Sequence, residues 1–263
     1  MDRESLFLPH PKRGSHKGQN GVLLIIGGNR TYHGAPILAA LAAMRFCDLV
    51  YFYSAKQNAQ ALKKMRAATP NVICVEKGRL APALAHADCV LVGNGMEPGR
   101  ETAKMVEKIL RTGKKCVLDA AAIKSVPKEW LHSGVILTPH AIEFKTAFGV
   151  AATEKSVGEM SKKYGCTILF KGERDIVASC GKAVKIKGGN AGMTKGGTGD
   201  VLAGLLAAIY SHPSCPSPMK AACAASYLNK RAGDMLFRVM SYNYSSEDLA
   251  LELSHAAWGL YKA

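Results

Sequence analysis

At 263 residues, 48% of them hydrophobic and 21% charged, the chain has the composition of a globular protein long enough to bury a sizeable core. Its longest apolar run, Val201 to Tyr210 with an internal glycine, is far shorter than the ~20 residues of a membrane span, and the opening MDRESLFLPHPKRG carries no signal-like pattern. Neither a membrane helix nor a secretory leader is expected, which makes the cytoplasm the default location.

In chain order, short apolar runs alternate with longer stretches of helical period: GVLLIIGG, GAPILAALAAMRF, DLVYFY, AKQNAQALKKMRA and NVICV, then ADCVLVGNG, ETAKMVEKILRTG, KKCVLDA and GVILTPH. Strands that read as continuous apolar runs are covered on both faces. The alternation therefore predicts an α/β fold whose central, mainly parallel sheet is flanked by helices on both sides. A helix around Glu154 to Tyr164 leads into CTILFKG, RDIVASC and KAVKIKG, spaced closely enough to predict a short antiparallel meander at one edge. From Asp200 onward the chain reads as helical, with SHPSCPSP at 211–218 as an interhelical loop. No linker-like tract or repeat divides it, so one domain over residues 1–263 is expected. The eight cysteines form no Cys-x-x-Cys pair and several lie inside apolar runs, reading as small buried hydrophobes rather than zinc ligands or disulfide partners.

Thirty-five Lys and Arg against 20 Asp and Glu leave a net charge of +15. Such a charge attracts nucleic acid, acidic membrane surfaces or phosphorylated small molecules, and a merely basic solvated surface accounts for it equally well. The basic residues are dispersed and aromatics make up only 7%, which ranks a nucleic-acid-binding module last.

Ligands of open α/β sheets sit at the carboxyl ends of the strands. Here those ends offer Gly27-Gly28-Asn29-Arg30 with Ala35 just beyond, Gly93-Asn94-Gly95, Asp119, Thr138-Pro139-His140 with Glu143, and Lys171-Gly172. Neither Gly-Lys pair is followed by Ser or Thr, so a Walker A loop is excluded, and Pro98 occupies the third-glycine position of a dinucleotide fingerprint. What remains is Gly196-Gly197-Thr198-Gly199-Asp200, running straight into an apolar helix. Its glycines free the backbone to aim several N–H groups at one point, and the helix adds its own unpaired N–H groups and positive dipole end, which makes an anion hole. Asp200 at its rim is either a first-turn acid that stabilises the helix or the base that takes a proton from an attacking hydroxyl in phosphoryl transfer.

Together these segments resemble the ADP/ATP-dependent NAD(P)HX dehydratase family, a ribokinase-like fold that repairs hydrated NADH and NADPH. The likeness runs in order from His16-Lys17-Gly18 through IIGGNRTYHGAPILAALAAMR, LVGNGM, VLDAAAI, ILTPHAIEF and LFKG to GMTKGGTGDVLAGLLAAI, its most specific motif. It implies that Ala35, Gly95 and His140 contact the hydrated nicotinamide. Lys171, Gly172, Glu173, Arg174 and Asp175, with Gly196, Gly197, Thr198 and Gly199, contact the nucleotide. Asp200 is the catalytic acid-base residue and also touches substrate. The implied reaction phosphorylates the 6-hydroxyl of NAD(P)HX from ADP or ATP, ADP being favoured for a stand-alone chain, and eliminates phosphate. Magnesium is implied, with Glu143 as the candidate to hold it directly or through water. A homotetramer and a separate upstream epimerase are implied as partners. A ribokinase-like kinase of a small vitamin-precursor alcohol would use the same loop and acid, and is the alternative. Asn94, Glu97, Ala121, Ala141 and Ile142 depart from the family pattern, none at a position given chemistry, and point to a shifted substrate pocket.

Overall fold

The computed structural model describes residues 6–54 and 59–261. Nine strands form one sheet: β1 (Val22–Gly27), β2 (Leu49–Ser54), β3 (Val72–Cys74), β4 (Cys89–Val92), β5 (Lys115–Leu118), β6 (Val135–Leu137), β7 (Thr167–Phe170), β8 (Asp175–Ser179) and β9 (Lys182–Ile186), in the order β3-β2-β1-β4-β5-β6-β7-β8-β9. All pairings from β3 to β7 are parallel; β7–β8 and β8–β9 are antiparallel. The expected edge meander is present, with one refinement: its first strand, β7, is also the last of the parallel set, in register with β6 at Ile136–Thr167. On the outer strand Lys182 and Lys185 are exposed, a charge pattern that discourages edge-to-edge pairing.

Among the described residues, ten α-helices cover the two faces. One face carries α1 (Gly34–Ala43), α2 (Ala59–Ala68), α8 (Thr198–Ser211), α9 (Pro218–Met240) and α10 (Ser246–Tyr261); the other carries α3 (Leu80–His86), α4 (Arg100–Leu110), α5 (Ala121–Ser125), α6 (Ala141–Phe148) and α7 (Glu154–Lys163). Strand periodicity explains the unbroken apolar runs: in β1, Leu23 and Ile25 join the core under the first group while Leu24 and Ile26 join the core under the second, and all four are fully buried. The short helices α3, α5 and α6 were not anticipated, because five to eight residues are too few to display a helical period.

Helix α8 is buried along almost its whole length, which is why it reads as a near-continuous apolar segment. It packs directly on α1, and a Cβ on Gly204 would lie 2.0 Å from the Ala39 carbonyl oxygen, so only glycine permits this approach. That contact fixes the height of the α8 N-terminus over the sheet. Cys89, Cys116, Cys166 and Cys223 are buried, and burial pushes the Cys116 and Cys166 thiols up to about 12, leaving them inert. Cys180 breaks the expectation of buried cysteines: it is exposed in the β8–β9 turn, where the chain reverses at φ +51°. No helix of the described residues is long and apolar enough to cross a membrane.

Candidate active site

Three strand ends converge on one another through glycines with no room for a side chain. A Cβ on Gly27 would lie 2.4 Å from the Asn94 carbonyl oxygen, one on Gly93 (φ +121°) 1.9 Å from that of Asp119, and one on Gly95 (φ +67°) 2.1 Å from that of Tyr32. The β1 and β4 turns are tied by Gly28 N–H donating to the Asn94 carbonyl at 2.8 Å, and Ala35 comes within 3.3 Å of the Gly95 site. Ala35 and Gly95, distant in sequence, are thus neighbours. Immediately after Asp119, Ala120 is held at φ +47°, ψ −115°, a conformation disfavoured for any residue with a Cβ, and strain of this kind concentrates at functional sites.

Asp119 is the hub of the floor. Its Oδ1 accepts from Lys171 Nζ at 2.8 Å and from Thr138 Oγ1 at 2.6 Å, its Oδ2 from Asn94 Nδ2 at 2.9 Å, and it is 2% exposed. The same Asn94 Nδ2 donates to Asp200 Oδ1 at 2.6 Å. Lys171 is carried in by β7, whose chain is fixed by Lys171 N–H donating to the Pro139 carbonyl at 2.8 Å. Its Nζ sits 3.5 Å from where a Cβ on Gly199 would be, beside the α8 N-terminus.

Asp200 lies in the first turn of α8, behind Gly197 at φ +96°. Burial is the main cause that raises its carboxyl from 3.8 to about 6; the Asp119 charge adds to the rise, and the Asn94 hydrogen bond and Lys171 restrain it. Burial acts to lower Lys171, but Asp119, Glu143 and Asp200 outweigh it and hold the ammonium charged. The site therefore contains a fixed cation beside an acid poised near neutrality. The loop ahead of α8 is itself pinned: Lys195 Nζ donates to the carbonyls of Tyr242 and Tyr244, Tyr244 Oη to Asn190 Oδ1 at 2.7 Å, and Thr198 Oγ1 to the Met193 carbonyl at 2.7 Å.

Beside this cluster opens a cleft of about 770 Å³, walled by His140, Lys171 to Glu173, Asp175, Gly188 to Ala191, Met193, Thr194, Thr198, Gly199, Leu202, Asn229 and Lys230. Lys171, Gly172, Glu173, Asp175, Thr198 and Gly199, expected around a nucleotide, are thus brought together. Arg174 is exposed and lies outside this wall, as do Gly196 and Gly197, and a Cβ at Gly196 would touch nothing within 4 Å. The Asp175 carboxylate is occupied internally, accepting from Gly172 N–H at 3.0 Å and Ser226 Oγ at 2.7 Å with Lys230 Nζ 3.3 Å away, so it shapes the 171–175 turn. Lys230 also donates to the Gly172 and Glu173 carbonyls. Lys230, Asn190 and Asn229 carry no local signal, because mid-helix and loop polar residues announce a site only once the fold brings them to it.

His140 and Glu143 form a capping box on α6. His140 Nδ1 accepts from the Ile142 and Glu143 N–H groups, leaving Nε2 to carry the proton, and Glu143 Oε2 accepts from His140 N–H at 3.1 Å. Glu143 is 4% exposed, and its other oxygen lies 3.5 Å from His140 Nε2. Its carboxylate is thus turned back on its own helix. Among the described residues no three His, Cys, Asp or Glu side chains cluster as a metal cage.

Residues 23–255 match the model of the NAD(P)H-hydrate dehydratase family. The chain belongs to this family. An ADP-dependent (S)-NAD(P)H-hydrate dehydratase of Nitrosopumilus maritimus is 34% identical over 94% of this chain and 92% of its own length. A bifunctional NAD(P)H-hydrate repair enzyme of Archaeoglobus fulgidus is 38% identical over 92% of this chain, which spans 52% of that longer protein. An ADP/ATP-dependent NAD(P)H-hydrate dehydratase of Bacillus subtilis, crystallised with ATP and Mg2+, superimposes with a TM-score of 0.84 at 23% identity, over 98% of this chain and 96% of the other, and so shares the fold. As a member of the dehydratase family, the chain carries the mainly parallel sheet, the antiparallel edge and the ribokinase-like architecture expected of it.

Proposed function

We propose that the protein, working as one domain, dehydrates (S)-NAD(P)HX at the expense of ADP or ATP, restoring NADH or NADPH, with Asp200 as the base. The observation that carries this reading is Asp200 itself: a carboxyl raised to about 6, at the N-terminus of a buried helix and beside a nucleotide-sized cleft. A base of that strength is ionised at neutral pH yet basic enough to accept the proton of the attacking 6-hydroxyl. The oxygen of that hydroxyl forms a bond to the terminal phosphorus of the nucleotide as the bridging P–O bond breaks. The ring nitrogen lone pair then expels phosphate from C6, C5 gives up a proton to water, and the electrons of that C–H bond restore the double bond between C5 and C6 as the nitrogen regains its lone pair.

The protein's own part is electrostatic and positional. The Gly199 and Asp200 N–H groups, free of intrahelical partners, and the Lys171 ammonium face the transferring phosphoryl group. Ala35 and Gly95 bound the hydrated nicotinamide on the side where the β1 and β4 turns meet, with His140 on the cleft wall. Magnesium, when bound, neutralises phosphate charge. Glu143, whose charge acts on both Lys171 and Asp200, is the residue that would hold it, directly or through water. Gln also serves at the third position of a capping box, so Glu143→Gln is expected to keep thermal stability within ~0.5 kcal/mol of the parent while raising, several-fold, the magnesium needed for half-maximal rate. Assembly into a homotetramer is in keeping with apolar side chains exposed on α9 and α10, Val239 at 81% and Leu251 at 56% exposure.

The deciding experiment supplies NADHX with ADP or ATP and magnesium and follows the return of reduced-nicotinamide absorbance together with inorganic phosphate. Recovery with phosphate release is the expected result. No recovery with either donor overturns the reading, and a phosphorylated alcohol as the released product marks a small-molecule kinase instead. The rate is expected to fall on the acid side with a midpoint near the Asp200 value of about 6, as protonation removes the base.

A further inference from the structure

We propose that Asn94 is a positioning residue whose carboxamide clamps the Asp119 and Asp200 carboxylates into one fixed geometry beside the cleft. The inference rests on the role given above to Asp200, and it concerns a residue that the sequence shows only as a departure from the family pattern.

Three observations carry it. Asn94 is fully buried at the β4 end, and its one Nδ2 group donates in two directions, to Asp119 Oδ2 at 2.9 Å and Asp200 Oδ1 at 2.6 Å. An amide nitrogen has two hydrogens, so both bonds are made at once, and flipping the group would set its oxygen against two acids. Second, Asn94 Oδ1 is buried and accepts no hydrogen bond among the described residues. A buried acceptor left without a donor is unfavourable, and an asparagine kept only for packing would not bear that penalty. Third, the backbone of Asn94 is immobilised from both sides, by Gly28 N–H on its carbonyl and by the close approaches at Gly27 and Gly93, so the amide has a rigid mount.

The groups acting on Asp200 are Asp119 from the β5 end, Lys171 from the β7 end, Glu143 from α6 and Asn94 from the β4 end. Asn94 is the one that touches both Asp200 and its acidic neighbour. With it gone, two carboxylates face each other without a shared donor, Asp200 ionises less readily, and its Oδ1 loses the bond that leaves the other oxygen directed at the substrate.

The test is direct titration of the Asp200 carboxyl by 13C NMR in protein labelled at the Asp carboxyl carbons, the signal being assigned by its loss in Asp200→Asn. In Asn94→Ala, and in Asn94→Ser should the alanine variant fold poorly, the midpoint is expected to rise by roughly one pH unit, the scale of one hydrogen bond to a charged acceptor. The acid limb of kcat should rise with it, lowering kcat by roughly five-fold at pH 6 and hardly at all at pH 8 while KM for the nucleotide stays put. A merely structural asparagine would lower thermal stability without moving either midpoint. An unmoved Asp200 titration in folded Asn94 variants overturns the proposal. A moved titration with full activity in Asp200→Asn leaves the clamp standing and overturns the assignment of Asp200 as base.

Discussion

Asp200→Asn is expected to lower kcat by roughly 10²–10⁴-fold, the range set by removal of a general base, with little change in KM for the nucleotide. The same substitution is expected to stabilise the fold at pH 7. The sign follows from the two ionisations: the carboxyl titrates at 3.8 when unfolded and at about 6 when folded, so between those values the folded state holds the extra proton. Stability therefore falls as pH rises through this window, and the penalty is complete above about 6. Asparagine, which carries no charge and can still accept from Asn94, removes a penalty on the order of 2–3 kcal/mol at pH 7. Thermal melts of parent and variant should converge below pH 4 and separate above pH 6. Equal turnover in the two proteins would refute the base; equal melting at pH 7 would refute the raised carboxyl.

Lys171→Met is the second large effect. It leaves Asp119, 2% exposed, with its charge uncompensated, and breaking a buried pair from one side costs about 3–5 kcal/mol. The α8 N-terminus loses its neighbouring ammonium at the same time, so turnover should fall with stability. Adding Asp119→Asn removes the orphaned charge. The double variant is expected to regain most of the lost stability in denaturant melts and none of the activity, because the cation has not returned. Recovery of activity in the double variant would show that Lys171 serves only to neutralise Asp119.

The parallel architecture was legible from β1 to β6 because strands covered on both faces must be apolar throughout, as Leu23 to Ile26 are. The turn into α8 was legible for a similar local reason: glycines directly ahead of an apolar run mark where the chain turns into a helix, and Gly197 does adopt the left-handed conformation that favours glycine. Periodicity could not reveal α3, α5 and α6, which are too short to show one.

Side-chain partnership was the part that local pattern could not supply. Asn94 stands in the sequence as a departure from the family pattern, with no chemistry attached, yet it is the residue that bonds both Asp119, 25 positions away, and Asp200, 106 positions away. Asp175, expected among the nucleotide contacts, lines the cleft with its carboxylate held by Ser226 and Lys230 from α9. Glu143, the magnesium candidate, also caps its own helix, a partnership with His140 that no local pattern announced. Which residues occupy strand ends and helix starts follows from backbone preference and burial, properties that a dozen neighbouring residues determine. Which carboxylate is paired, which is left poised near neutrality and which amide lies between them depends on distances of 2.6–2.9 Å between elements far apart in the chain. The strand ends of the sheet bring Asn94, Asp119 and Lys171 together, and the packing of α8 on α1, down to the contact of Gly204 with Ala39, carries Asp200 to them.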